Sequence, residues 1–118
     1  MPKRPHTFVR AHRRRWGLTQ QELAMLLGVE DSTTVSRIER SVRTPTAAVL
    51  IAYSILFGLS PAELFPSLYE TVEEGVANAA KTLYDQLDEQ TDSSSLRKRE
   101  FVEALFLRIG GAQTASEI

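Results

Sequence analysis

The sequence predicts an all-α protein, with five helices before residue 66 and two longer amphipathic helices after it. Apolar residues recur every three or four positions along nearly the whole chain, and no stretch alternates apolar with polar residues as a strand would. Capping residues and glycines divide this helical pattern into segments. With 118 residues and 42% hydrophobic content, the chain is long enough for one compact domain or for a small domain with an appended region.

The first two helices have clear start and stop signals. Thr7 can cap the first helix, and Gly17 ends it just after a basic last turn. Thr19 and Glu22 have the spacing of a capping box, in which a hydroxyl and a carboxylate satisfy each other's backbone N–H groups. The second helix therefore begins after Thr19, and it ends at Gly28.

The next three helices follow from similar signals. Asp31 is a good N-cap for the third helix, in which Val35 and Ile38 point inward. Thr46 caps a fourth helix after the chain break at Pro45. Segment 60–63 combines a serine cap, a proline at the first helical position and a capping-box glutamate, and it predicts a short fifth helix.

The composition changes after residue 66. A capping box at 67–70 starts a long amphipathic helix over roughly 68–90, and a polar break over 91–95 separates it from a last helix over roughly 95–109. Gly110 and Gly111 are predicted to end that helix. The predicted organisation is a DNA-binding domain over 1–66, a helical dimerisation or interaction region over 67–111, and a disordered tail over 112–118.

The net charge of −1 conceals a basic half and an acidic half. Residues 1–43 contain nine cations and four anions, which gives +5, and residues 44–118 contain five cations and eleven anions, which gives −6. This division is typical of a nucleic-acid binder with a separate interaction region, although two ordinary solvated surfaces would also give it. Lys3 and Arg4 lie on an N-terminal arm that could enter a DNA groove or have no role.

Several other function classes lack the residues they need. No apolar run approaches the roughly 18 residues that span a bilayer, and no apolar signal core follows the charged start, so we expect a cytoplasmic protein without a membrane partner. The sequence has no cysteine, and His6 and His12 have no nearby catalytic or metal-like cluster. The adjacent pairs Glu73–Glu74 and Asp88–Glu89 point apart on a helix surface. We expect neither an enzyme nor a metal or other cofactor.

The most informative unit is the pair of short helices over 19–27 and 32–40, joined by a tight turn. A helix about 10–12 Å wide fits the major groove of DNA, which is about 12 Å wide, if its exposed side is short and polar. In the third helix the outward positions have this character, and they are Ser32, Thr33, Ser36, Arg37 and Arg40. The alternative is a solvated polar face without a ligand.

Five segments in order favour the DNA-binding interpretation. They are Gly17–Ala24 (GLTQQELA), Leu27–Val29 (LGV), Val35–Arg40 (VSRIER), Pro45 and Leu59–Phe65 (LSPAELF). This collinear set, over about 60 residues, closely resembles the XRE/Cro family of lambda-repressor-like helix-turn-helix regulators. The resemblance implies a five-helix lambda-repressor-like bundle in which the third helix is the recognition helix.

The resemblance also implies a role for individual residues. The base-reading positions of the family are occupied by Ser32, Thr33 and Arg37. The predicted contacts to the DNA backbone come from Gln20, Thr34, Ser36, Arg40, Arg43 and Thr44. Arg13 and Glu39 match the structural ion pair that the family forms between its first and third helices.

General chemistry supports these roles. The fork of an arginine can hold O6 and N7 of guanine, and Arg37 is placed to do so. The helix N-termini after Thr19 and Asp31 are predicted to direct N–H groups at phosphates.

The sequence departs from the family pattern at two places. One residue, Glu30 or Asp31, is inserted before the third helix, which shifts the start of that helix by a residue. Ser41 replaces the usual glycine after the third helix, so it must adopt a left-handed conformation or change the path towards Arg43.

The two C-terminal helices carry apolar stripes that something must cover. We favour a homodimer interface, because pairing two half-sites compensates for the few base contacts of one module. Its predicted residues are Val72, Val76, Ala79, Leu83, Leu87, Phe101, Leu105, Phe106 and Ile109. The alternatives are folding back onto the N-terminal bundle and antitoxin-like capture of another protein. The predicted function is sequence-specific binding of double-stranded DNA by a nucleoid-associated transcriptional repressor, on a near-palindromic site.

Overall fold

A computed structural model describes residues 7–117, with side chains through residue 110. Within these residues the regular structure is helical and there is no strand, which confirms the predicted all-α class. Five helices precede residue 66 and two follow. They are α1 (Val9–Arg15), α2 (Gln20–Leu27), α3 (Ser32–Glu39), α4 (Ala47–Phe57), α5 (Pro61–Leu64), α6 (Pro66–Gln86) and α7 (Ser93–Glu117).

The chain forms two compact units, the first ending at Glu70 and the second beginning at Thr71. In the first unit each of the five short helices contributes a side chain with no solvent exposure to a single core. In chain order these are Val9, Leu23, Val35, Tyr53 and Leu64. Because burying a side chain of this size contributes about 1.5–3 kcal/mol, all five helices depend on the same core.

Hydrogen bonds of Thr7 connect the start of α1 to the end of α5. Its hydroxyl donates to Leu64 O at 2.8 Å and accepts from Val9 N at 3.2 Å. Phe8 N also donates to Leu64 O, at 2.9 Å. The residue directly before α1 is Phe8 rather than the predicted Thr7, but the Thr7 hydroxyl still satisfies a first-turn N–H group.

In the second unit, the α6–α7 hairpin (residues 71–110) has a small core of its own. Its buried apolar residues are Ala80, Leu87 and Val102. The rings of Tyr84 and Phe106 meet edge to face, with centroids 6.2 Å apart. These contacts hold the two helices against each other along one side.

The boundaries of the last two helices differ from the prediction. Helix α6 begins at Pro66, so Ser67 lies inside the helix instead of capping it, because proline has a fixed φ that suits a first helical turn. Helix α7 passes through Gly110 and Gly111 and reaches Glu117, so the predicted stop is wrong. Glycine costs a helix about 1 kcal/mol but can adopt helical φ and ψ. The helix therefore extends into the segment 112–118, for which a disordered tail was predicted.

Candidate nucleic-acid interface

The N-terminus of α2 has the capping box that the sequence predicts. Glu22 N donates to Thr19 Oγ1 at 3.0 Å, and Thr19 N donates to Glu22 Oε1 at 2.9 Å. Hydrogen bonds from Thr19 hold the pKa of the Glu22 carboxyl below its usual range. The N–H groups of Gln20 and Gln21 precede the first intrahelical bond donors, so they point out of the helix end, where the helix dipole favours an anion such as a phosphate.

A tight turn connects α2 to α3. Gly28 has φ of +74°, a left-handed conformation that glycine adopts without steric cost. Asp31 then caps α3, because its Oδ1 accepts from Thr33 N at 3.0 Å and from Thr34 N at 3.4 Å. The Asp31 carboxylate therefore occupies the place at this helix end where a phosphate was predicted, and α3 begins at Ser32.

Helix α3 has a buried side and an exposed side of different chemistry. Val35 and Ile38 are buried in the core of the first unit. Thr33, Arg37 and Arg40 are exposed at positions i, i+4 and i+7, so they form one stripe along the helix. The remaining predicted contact residues on α3 are half-buried beside it, and they are Ser32, Thr34 and Ser36.

An ion pair fixes α3 against α1. Arg13 Nε lies 2.6 Å from Glu39 Oε2, and Arg13 Nη2 lies 3.1 Å from Glu39 Oε1, so the guanidinium holds the carboxylate with two parallel bonds. Arg13 Nη1 also donates to Leu18 O at 2.8 Å. The side chains are 10% and 1% exposed, and the hydrogen bond to Glu39 raises the pKa of the Arg13 guanidinium. The structure thus brings together the two residues that the family resemblance pairs.

Gln20 belongs to this cluster as well. Its Nε2 donates to Glu39 Oε1 at 3.1 Å, which links the first turn of α2 to the last turn of α3. The sequence pattern predicts a phosphate contact for Gln20 but not this bond, because no spacing rule relates residues 19 positions apart in different helices. The side chain is half-buried, so it supports Glu39 while its helix end remains open to solvent.

The exit from α3 is a Schellman turn that would normally require glycine. Ser41 N donates to Ile38 O at 3.0 Å and Val42 N donates to Arg37 O at 3.0 Å, which are the two bonds of this motif. Ser41 adopts φ of +62°, one of the two outcomes expected from the missing glycine. The regular turn leads the chain to Arg43 and Thr44, and both are exposed.

Positive charge predominates on the exposed surface of the first unit around α3. Arg37, Arg40 and Arg43 are exposed, and no ion pair engages them within the described part of the chain. Arg10, Arg14 and Arg15 on α1 are exposed as well. Exposed guanidinium groups that are not engaged in ion pairs attract the phosphates of nucleic acids. Lys3 and Arg4 lie outside the described residues.

The residues predicted to dimerise differ in their exposure. The exposed ones are Val72, Val76, Ala79, Leu83 and Phe101, and the half-buried ones are Leu105, Phe106 and Ile109. Leu87 is only 5% exposed because it packs into the hairpin's own core, so it is not available to a partner chain.

Tyr53 is an unexpected polar group in the core of the first unit. Its hydroxyl is buried without a hydrogen-bond partner among the described residues, and burial raises its pKa. The ring packs edge to face on Phe65 at 5.5 Å and stacks with Phe57 at 6.2 Å. Tyr53 therefore stabilises the core through the packing of its ring, whereas burial of its hydroxyl without a partner destabilises the fold. The sequence pattern does not reveal this buried hydroxyl.

The described part of the chain contains no group of three or more histidines or carboxylates placed to hold a metal ion. None of its helices combines the length and the apolar character needed to cross a membrane.

Comparison with known proteins identifies the first unit. Residues 9–64 match a family model described as helix-turn-helix, which spans α1 to α5. The comparisons with curated proteins and with solved structures gave no match. The matched family consists of DNA-binding, non-enzymatic domains of transcription regulators. Residues 9–64 are therefore a DNA-binding helix-turn-helix domain of the XRE/Cro type.

Proposed function

We propose that the protein is a transcriptional repressor that binds double-stranded DNA sequence-specifically, with α3 in the major groove. The observation that carries this proposal is the exposed stripe of Thr33, Arg37 and Arg40 on a helix whose opposite side is anchored in the core. Such a helix can enter the groove as a rigid body, because the contacts on its buried side remain in place.

The roles of the stripe residues follow from their chemistry. Arg37 lies in the middle of α3, where its guanidinium can form two hydrogen bonds to O6 and N7 of a guanine. Thr33, one turn closer to the N-terminus, reads a base edge or a thymine methyl, and Ser32 contributes beside it.

The backbone contacts come from the end of α3 and from the start of α2. Arg40, Arg43 and Thr44 bind phosphates, and the open N-terminus of α2 at Gln20 binds another. Thr34 and Ser36 contribute smaller contacts from the half-buried flanks of the helix. These contacts set the position of α3 without selecting a sequence.

A homodimer completes the proposed function. Two copies joined through the α6–α7 hairpin present two recognition helices, and a spacing of about 34–36 Å would match one turn of DNA and a near-palindromic site. A dimer bound over a promoter excludes the polymerase, which is the simplest form of repression. We place the protein in the cytoplasm, at the nucleoid.

Selection of bound sequences from a random DNA library with the full-length protein tests this proposal. We expect a near-palindromic consensus containing a guanine in each half-site. Arg37→Ala should weaken binding to that consensus by about 1–3 kcal/mol and relax the preference at the guanine. Arg108→Ala is the matched control, since it removes an exposed arginine from the second unit. Failure of the wild-type protein to enrich any sequence contradicts the proposal.

A further inference from the structure

Trp16 is the only tryptophan of the chain, and its side chain is 69% exposed at the end of α1. An aromatic side chain can bury about 150–250 Å² against a partner, and an indole N–H that becomes buried requires a hydrogen-bond acceptor. Exposure by itself assigns no role to Trp16, because single exposed apolar residues are common on protein surfaces. A role has to follow from where the ring is held.

Hydrogen bonds fix the backbone on both sides of Trp16. Trp16 N donates to His12 O at 3.3 Å, and Leu18 N donates to Arg13 O at 3.1 Å. The Arg13 side chain adds a bond from its Nη1 to Leu18 O at 2.8 Å. Gly17 permits the turn between them, because its φ of +71° lies in the left-handed region. The exposed ring is therefore carried by a backbone that is held in one place.

Three helix ends meet close to Trp16. Arg13 in the last turn of α1 and Gln20 in the first turn of α2 both donate to the carboxylate of Glu39, the last residue of α3. Trp16 follows Arg13 by three residues and precedes Thr19 by three, so its Cα lies within about 11 Å of the Cα of this helix cap. Trp16 is thus a near neighbour of the helix end at which we place a DNA phosphate.

The charges around Trp16 favour an anionic ligand. Residues 7–21 contain four arginines and no carboxylate. The next acidic residue, Glu22, turns its carboxylate back onto Thr19 N at 2.9 Å. The two residues directly before Trp16 are exposed arginines, and they form no ion pair with any described residue. A polyanion can therefore approach the ring without meeting an unpaired carboxylate of this segment.

We propose that Trp16 is a further contact to the DNA backbone, with its ring on a deoxyribose and its Nε1–H donating to the neighbouring phosphate. This inference rests on the proposed function and extends its interface to the end of α1. The DNA backbone suits an indole, which is a donor without an acceptor, because apolar sugar carbons lie beside phosphate oxygens that accept hydrogen bonds. The contact touches no base edge, so it adds affinity without sequence preference.

Two substitutions separate the contributions of the ring and of its N–H group. Trp16→Ala should weaken binding of the full-length protein to the selected duplex and to a random duplex by the same factor, roughly three- to tenfold. Trp16→Phe should recover part of the affinity, because it keeps an aromatic ring and removes the donor. Ile55→Ala is the matched control, since Ile55 is 74% exposed on α4 of the same unit, and it should leave both affinities unchanged.

Salt dependence distinguishes this contact from those of the arginines. The indole is uncharged, so Trp16→Ala should lower the affinity without changing the slope of log K against log salt concentration. Arg40→Ala should reduce the size of that slope by about 1, because it removes a cation from a phosphate. A changed slope in Trp16→Ala would show that the loss comes from disturbed cationic contacts, which overturns the assignment of a contact to the ring.

Fluorescence reports the contact directly, because the emission of the wild-type protein comes from Trp16 alone among tryptophans. Saturation of the full-length protein with the selected duplex should reduce quenching of Trp16 by acrylamide to roughly half or less, since the DNA backbone would cover the ring. The variant Trp16→Phe/Ile55→Trp carries the reporter on α4 instead. Quenching of that reporter should not change when DNA is added.

The outcomes separate this inference from the proposed function. If the protein selects and binds a DNA sequence but acrylamide reaches Trp16 equally well in the complex, this inference is wrong and the proposed function stands. If Trp16 is already shielded in the full-length protein without DNA, a protein surface covers the ring and the inference is also wrong. If no DNA sequence is selected, the proposed function fails and this inference falls with it.

Discussion

Removing one partner of the ion pair between Arg13 and Glu39 should strongly destabilise the helix-turn-helix domain. The perturbation is Arg13→Ala, which leaves the Glu39 carboxylate with the Gln20 amide as its remaining side-chain donor. The Glu39 side chain is 1% exposed, so water cannot replace the lost guanidinium without opening the contact between α1 and α3.

The magnitude follows from this burial. Breaking a buried pair by removing one partner costs about 3–5 kcal/mol, whereas an exposed pair contributes about 0–1 kcal/mol. Glu39→Gln should lower the free energy of unfolding by less than Arg13→Ala does, because the amide oxygen of the glutamine still accepts a hydrogen bond from Arg13. The double variant Arg13→Met/Glu39→Leu should recover much of the loss, since apolar residues of similar volume often replace a buried pair without destabilisation.

Urea unfolding provides the assay. Trp16 is the sole tryptophan of the sequence and lies in the first unit, so its fluorescence follows that unit, and circular dichroism follows the whole chain. With a urea dependence of about 1–3 kcal/mol per molar, the Arg13→Ala midpoint should fall by roughly 2 M. A loss below about 1 kcal/mol would show that the pair is no stronger than a surface pair, which would refute the reasoning.

Three further predictions concern individual residues. Ser41→Gly should raise the unfolding free energy by about 0.5–1 kcal/mol in urea, because relief of the left-handed strain exceeds the added chain entropy; destabilisation would contradict the Schellman turn. Tyr53→Phe should stabilise the domain by about 1 kcal/mol in thermal unfolding, since it removes an unsatisfied buried hydroxyl; a loss of stability would reveal a missed partner. Hydrogen bonds from Ser95 lower the pKa of Asp92 from its ordinary 3.8, so the stability it contributes is present above that pH and lost as the pH falls through the folded value. The thermal unfolding midpoint of Asp92→Asn should therefore lie below that of the wild type at pH 7, and the two midpoints should converge in acid. A difference between the midpoints that does not change with pH would exclude this linkage.

The helix starts could be predicted because their signals are local. The capping box of Thr19 with Glu22 and the caps at Asp31 and Thr46 need only neighbouring residues, and the structure contains all of them. Helix ends were harder to predict where glycine was the only stop signal, because a helix can also continue through a glycine. Gly110 lies within α7, because glycine weakens a helix without forbidding it.

Contacts between distant residues could not be derived from local pattern. The pairing of Arg13 with Glu39 came from the family resemblance, and the bond from Gln20 to Glu39 was missed because packing of three helices brings these residues together. The burial of Leu87, directly after α6, was missed for a similar reason: an amphipathic stripe shows which residues share a face but not which of them the fold buries.

The central claim is that α3 reads DNA in the major groove. Measuring wild type and Arg37→Ala on DNA that carries one altered base tests this claim most directly. Replacing guanine by 7-deazaguanine at the selected position removes the N7 acceptor and leaves base pairing intact. For the wild-type protein we predict a loss of about 1–3 kcal/mol in binding free energy from this replacement, and for Arg37→Ala almost no further loss. Equal losses with both proteins, at every guanine of the site, would contradict the assignment of Arg37 and of α3 to the major groove.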